Sequence, residues 1–250
     1  MRLLLVLFSC SDGGDTNAEG DSDSGDDEGD TADTSGDTGG VFDPPDWCPA
    51  PTAGRQEVTD TPASPYYILH PDVVAAPIVL FLPGGPGDRG SAGATWNAFF
   101  DDAPRGYRIV VPYVTEDGYP QTVVPPSAAL LDEVLLCFGG DPARIHLAGH
   151  SNGGYLAYNV VGPQLADRVV TITGMPAYFE AFQKADFGTV AFHNAAGDED
   201  ATWLAAMEAA HETLQSNGFE SQLTVWPATG HTPGPRWDGR AGMFAFWDAN

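Results

Sequence analysis

Residues 149–153 read Gly-His-Ser-Asn-Gly, and Ser151 at their centre has the most chemistry to offer. The pentapeptide fits the G-x-S-x-G pattern of a serine held on a sharp turn between a strand and a helix. So tight a turn admits only small neighbours, hence Gly149 and Gly153. It also sets the hydroxyl at a helix N-terminus, where amides favour negative charge. A serine hydroxyl is a weak nucleophile until a base takes its proton. In this arrangement the order along the chain is serine, acid, histidine. Of the six histidines, only His211 and His231 follow the late apolar runs. His211 falls inside a helical stretch, whereas His231 closes the glycine-containing loop 226–231, so His231 is the expected base. The acid is expected in Gly197-Asp198-Glu199-Asp200, at the C-terminal end of a strand, where open parallel sheets keep their ligand sites. Asp200 is preferred, Asp198 is the alternative acid and Glu199 comes third. Its task is to orient the imidazole and stabilise the imidazolium.

A tetrahedral intermediate also needs donors for its oxyanion. One is the amide of the residue after the nucleophile, here Asn152. The other belongs to the loop after an early strand, here Pro83-Gly84-Gly85-Pro86-Gly87. Prolines carry no N–H, which leaves Gly84, Gly85 and Gly87, and Gly85 is the residue expected to donate. His150, next to the serine, is expected to pack or to line the pocket, because adjacent residues of the elbow point apart. His70, His146 and His193 lie in or beside strands and read as structural. No pair of histidines has metal-ligand spacing such as H-x-x-x-H, so neither a metal nor another cofactor is expected.

The elements that must hold these residues follow from apolar runs and their Pro/Gly borders. Strands are expected at 66–70, 78–82, 107–111, 145–148, 169–173, 189–195 and 223–226. A first helix carries Trp96, Phe99 and Phe100. A second, capped by Ser127, presents Leu131, Leu135 and Phe138 on one face. Further helices are expected at 153–161, at 202–216 with Trp203, Met207, Ala210 and Leu214 on one face, and at 243–247. Gly218 stops the fourth of these. Alternation of strands and helices implies an α/β protein with a mainly parallel sheet covered on both faces.

With these residues in place, the stretch 66–231 resembles the α/β-hydrolases related to polyhydroxybutyrate depolymerases and feruloyl esterases. The resemblance rests on Gly140-Asp141-Pro142-Ala143-Arg144-Ile145 leading into GHSNGGYLAY, on GYRIVVP, and on the late GDED and TGH segments. It implies an α/β-hydrolase fold and a serine esterase. The loop LPGGPG departs from these families, which often carry a His before the glycines. It is similar to the HGGPG of proline iminopeptidases, again with Pro83 in place of His, which keeps a peptidase as a second reading. A non-catalytic binding module on the same fold is a third. Between Gly174 and Thr189 there is room only for a short loop or helix, so no large cap domain is expected. An uncovered site suits a bulky or polymeric ester.

The rest of the chain bears on location and partners. Residues 11–40 hold eleven carboxylates and no Lys or Arg, and cannot bury enough apolar surface to order themselves. They read as a disordered acidic linker ahead of a domain at 41–250. The formal net charge is −25; such acidity repels phosphate backbones and argues against nucleic acid as a partner. Residues 1–10, MRLLLVLFSC, resemble an export signal ending in a bacterial lipobox, with Cys10 as the lipidated residue. An exported cell-envelope or secreted protein is the expectation, held to a membrane only through that anchor. Cys48 and Cys137 are then left as an even pair, either bonded to each other in an oxidising compartment or two buried thiols.

Overall fold

The computed structural model describes residues 42–101, 106–232 and 240–250. Residues 1–10 with Cys10, and the acidic stretch 11–40, lie outside the described residues.

Among the described residues eight strands form one sheet in the order β1-β2-β4-β3-β5-β6-β7-β8. They are β1 (Arg55–Val58), β2 (Tyr66–Leu69), β3 (Ile78–Leu82), β4 (Arg108–Pro112), β5 (Ile145–Gly149), β6 (Thr171–Gly174), β7 (Ala191–Gly197) and β8 (Ser221–Trp226). β1 and β2 run antiparallel to their neighbours, and every pairing from β4 through β8 is parallel. β3, β4 and β5 are buried along their whole length, as strands with helices on both faces require, and only Arg108 and His146 break their apolar runs. Side chains alternate between two cores. Ile78, Leu80 and Leu82 of β3 enter one, and Val79 and Phe81 the other.

Among the described residues six α-helical segments flank the sheet: α1 (Arg89–Phe99), α2 (Ser127–Phe138), α3 (Asn152–Leu156), α4 (Gly162–Leu165), α5 (Ala201–Ser216) and α6 (Arg240–Ala249). Leu130, Val134, Leu156, Met207 and Leu214 bring α2, α3 and α5 to the first core. Trp96, Phe99, Phe244 and Trp247 bring α1 and α6 to the second. α3 and α4 are joined by a π-helical turn, Ala157–Val161, so helical backbone continues past the expected end at Val161.

Some expectations are corrected. Ser127 is the first residue of α2 and not its cap: its hydroxyl donates to the Pro125 carbonyl, and Pro126 holds the cap position. Strand–helix alternation is broken at the start, where β1 pairs directly with β2, and between β6 and β7. That last connection, residues 175–190, holds only a 3-10 turn at Lys184–Asp186, and no large cap is present among the described residues. Cys48 and Cys137 are joined in a disulfide with Cα atoms 5.1 Å apart, tying the lead of the domain to α2.

Candidate active site

Ser151 stands between β5 and α3 with φ 54° and ψ −117°, a backbone conformation that a non-glycine residue adopts only under strain. The surroundings impose it. A Cβ on Gly149 would sit 2.2 Å from the Gly153 carbonyl oxygen, and one on Gly153 would sit 2.0 Å from that of Leu82. Close approach at both glycines presses the start of α3 onto the end of β3. The loop that follows β3 is thereby brought beside the serine.

His231 meets both of its expected partners. Its Nε2 lies 2.9 Å from Ser151 Oγ, and its Nδ1 lies 2.6 Å from Asp200 Oδ2. Asp200 occupies the cap position of α5 yet makes no side-chain capping bond, so its carboxylate is directed to the imidazole instead. The structure thus brings Asp200, and not Asp198, to His231. Asp198 accepts from the Thr229 amide at 3.3 Å, and the Glu199 amide donates to the Thr229 carbonyl at 3.0 Å. Those bonds hold the loop that carries His231 against the end of β7.

The two residues flanking the serine reach outward to the loops on either side. His150 Nε2 donates to the His231 carbonyl at 3.0 Å, which fixes its tautomer, and its ring lies 5.3 Å from that of His231. Burial pushes the His150 pKa down from 6.5 to about 4, against the opposing pull of that bond, so the ring is neutral at pH 7. On the other side, Asn152 Nδ2 donates to the Gly85 carbonyl at 2.8 Å. Gly84 is buried against the elbow: a Cβ there would lie 2.7 Å from His150 Nδ1 and 3.3 Å from Ser151 Cβ. Gly87 leaves the set of possible oxyanion donors, because its amide is committed to the Gly84 carbonyl at 3.2 Å. Gly84 and Gly85 remain.

Four contributors carried no sequence signal for this site. The Tyr119 hydroxyl donates to the Pro83 carbonyl at 2.6 Å and so fixes the same loop. Trp203, read only as a core residue of a helix, lies 5.4 Å from the His231 ring, and Tyr178 lies 5.7 Å from Trp203. Asn159, within the π-helical turn, donates to the Tyr178 carbonyl and accepts from the Glu180 amide, both at 2.8 Å. The other histidines are structural: His70 meets Gln56, His146 meets Thr171, His193 meets Thr224 and His211 meets Ser221.

No protein-family model matches the chain, and no curated protein aligns with it significantly. Solved structures do. TT1662 from Thermus thermophilus superposes with a TM-score of 0.57 at 17% identity, over 80% of this chain and 100% of that one. Esterase PE8 gives 0.57 at 21%, over 75% and 98%. Esterase B from Lactobacillus Rhamnosis gives 0.58 at 15%, over 78% and 85%. The fold is that of the α/β-hydrolases. In a hydrolase fold of this topology, the ends of β3, β5, β7 and β8 converge on one edge, and here those ends carry Gly84–Gly85, Ser151, Asp200 and His231. A hydroxyl, a base that touches it and a carboxylate that touches the base can together move a proton off the hydroxyl and return it to a leaving group.

Proposed function

We propose that this protein is a serine hydrolase of carboxylic esters, working through an acyl-enzyme on Ser151. The supporting observation is the unbroken hydrogen-bonded line from Asp200 through His231 to Ser151 Oγ. In this mechanism His231 takes the Ser151 proton as Oγ attacks the ester carbonyl carbon. The oxyanion that forms lies near the amides of Asn152 and of the Gly84–Gly85 loop. His231 then gives its proton to the departing alcohol. Water, deprotonated by the same imidazole, hydrolyses the acyl-enzyme. An ester is favoured over an amide because the site is open, with no cap over it among the described residues. The finer resemblance to polyhydroxybutyrate depolymerases and feruloyl esterases supports the same ester chemistry within this proposal, without fixing the acid.

The test is hydrolysis of p-nitrophenyl esters by residues 41–250, with Ser151→Ala alongside. Turnover that falls by about 10³-fold or more in the variant supports the proposal. Equal activity of the two proteins, or no turnover by a folded wild type, overturns it. Substitution of amide for ester substrates then separates the esterase from the iminopeptidase reading.

A further inference from the structure

Ser151 lies between two unlike surfaces. On one flank is a cleft of about 200 Å³, lined by Gly84, Gly85, His150 and, from α1, Ala94, Ala98 and Phe99. Phe99 and His150 are buried and form its floor, whereas Ala94 is exposed at its rim. Phe99 packs 5.0 Å from Phe81 of β3 and 5.4 Å from His150, in a close-packed core that resists movement of either ring. On the other flank is an open row of rings. Trp203 adjoins His231, Tyr178 adjoins Trp203, and Tyr155 lies 5.5 Å from Tyr178, which is 37% exposed.

The reaction geometry assigns these flanks. The leaving oxygen must lie within reach of His231 Nε2, the atom that protonates it, so the alcohol extends past His231 towards Trp203 and Tyr178. The carbonyl oxygen faces Asn152 and the Gly84–Gly85 loop. The remaining substituent, the acyl chain, is left with the cleft, which runs between that loop and α1 and is bordered by Thr232 next to His231. A water-sized group claims about 30 Å³, so the cleft admits on the order of six heavy atoms. We propose that the substrates are esters of short-chain acids, up to about six carbons, with bulky alcohols. The length limit is set by Phe99 and His150, and the width by Ala94 and Ala98. This inference rests on the esterase reading above and adds to it which side of the ester is measured.

The test uses two series of esters with wild type, Ala98→Leu and Ala94→Leu, the last at an exposed position that perturbs folding least. In the first series the alcohol is p-nitrophenol and the acid runs from two to twelve carbons. In the second the acid is acetic and the alcohol grows from methanol to naphthol. For wild type, kcat/KM is expected to stay high to about six carbons and to fall at least tenfold by ten. A leucine at either position is expected to cut hexanoate turnover about tenfold while acetate changes less than threefold, since one misplaced methylene in such a pocket costs about ten- to two-hundredfold. The alcohol series should not respond to either variant. A wild type that prefers ten or twelve carbons overturns the proposal. So do leucine variants that scale every acyl length alike, or an alcohol series that responds in place of the acyl series. Inactivity on every ester would overturn the esterase reading itself, whereas activity blind to chain length would overturn this inference alone.

Discussion

Asn152 illustrates how much a single side chain at the elbow does beyond its backbone amide. Its Nδ2 is 2.8 Å from the Gly85 carbonyl, so one residue supplies a proposed oxyanion donor and also anchors the loop that supplies the other. A neutral hydrogen bond is worth about 0.5–1.5 kcal/mol, and 1.4 kcal/mol is tenfold in rate. Asn152→Ala is therefore expected to lower kcat about tenfold, with KM within threefold and little change in thermal midpoint. Asn152→Asp, which replaces the donor by a carboxylate facing that carbonyl, should cost more. A variant that raised KM and left kcat alone would contradict this role. At this scale the proposed triad was legible, because each member has a residue type and a place in chain order dictated by its chemistry. The Asn152 anchor was not legible, since it spans 67 residues, nor was the Tyr119 bond to the Pro83 carbonyl, which spans 36. No local pattern encodes such contacts. The sequence preferred Asp200 over Asp198, and the structure shows that Asp200 is the one facing His231.

Elements were legible where burial leaves a run of apolar residues, as in β3 and in most of β4 and β5. β1 was missed because four residues, Arg-Gln-Glu-Val, at the margin of the sheet show neither a long apolar run nor clean alternation. The π-helical turn was equally invisible, although it sets Asn159 against the Tyr178 loop. Packing between elements makes a sharp prediction at two glycines in helices. A Cβ on Gly153 would meet the Leu82 backbone at 2.0 Å and force α3 off β3, whereas one on Gly93 of α1 meets nothing within 4 Å. Overpacking typically costs about 1–3 kcal/mol, which in a domain of this size lowers the thermal midpoint by roughly 2–12 °C. Gly153→Ala should do that and also lose most activity, because the serine and the Gly84–Gly85 loop are displaced together. Gly93→Ala should instead raise the midpoint by a degree or two, since alanine in a helix interior is favoured over glycine by about 0.5–1 kcal/mol. Calorimetry of the two variants checks both signs.

At the scale of the whole molecule, two effects of acid oppose each other. The chain carries a formal net charge of −25, and protonating carboxylates as pH falls relieves self-repulsion, which favours the folded state. Against this stand the buried rings of His146, His150 and His193, which burial pushes down from 6.5 to about 4. His146 feels Arg144 and Asp248 as well, and His150 feels His231 and Asp200. A base with a lowered folded pKa binds fewer protons folded than unfolded, so its contribution is complete above 6.5 and is lost as pH falls towards 4. Each pKa unit is about 1.4 kcal/mol, so each ring contributes on the order of a few kcal/mol. Repulsion among exposed carboxylates is screened within about 8 Å at physiological salt, and eleven of the charges lie in residues 11–40, ahead of the domain. The histidines should therefore win. The thermal midpoint of residues 41–250 is expected to begin falling just below pH 6.5, before most carboxylates titrate, and to drop on the order of 10 °C by pH 4.5. High salt removes the repulsion and leaves the histidine effect, so the fall should persist or steepen in 1 M salt. A midpoint that is flat or rising between pH 6.5 and 4.5 in high salt would mean that these rings accept protons in the folded state. The neutral His150 that holds the His231 loop would then have to be given up with them.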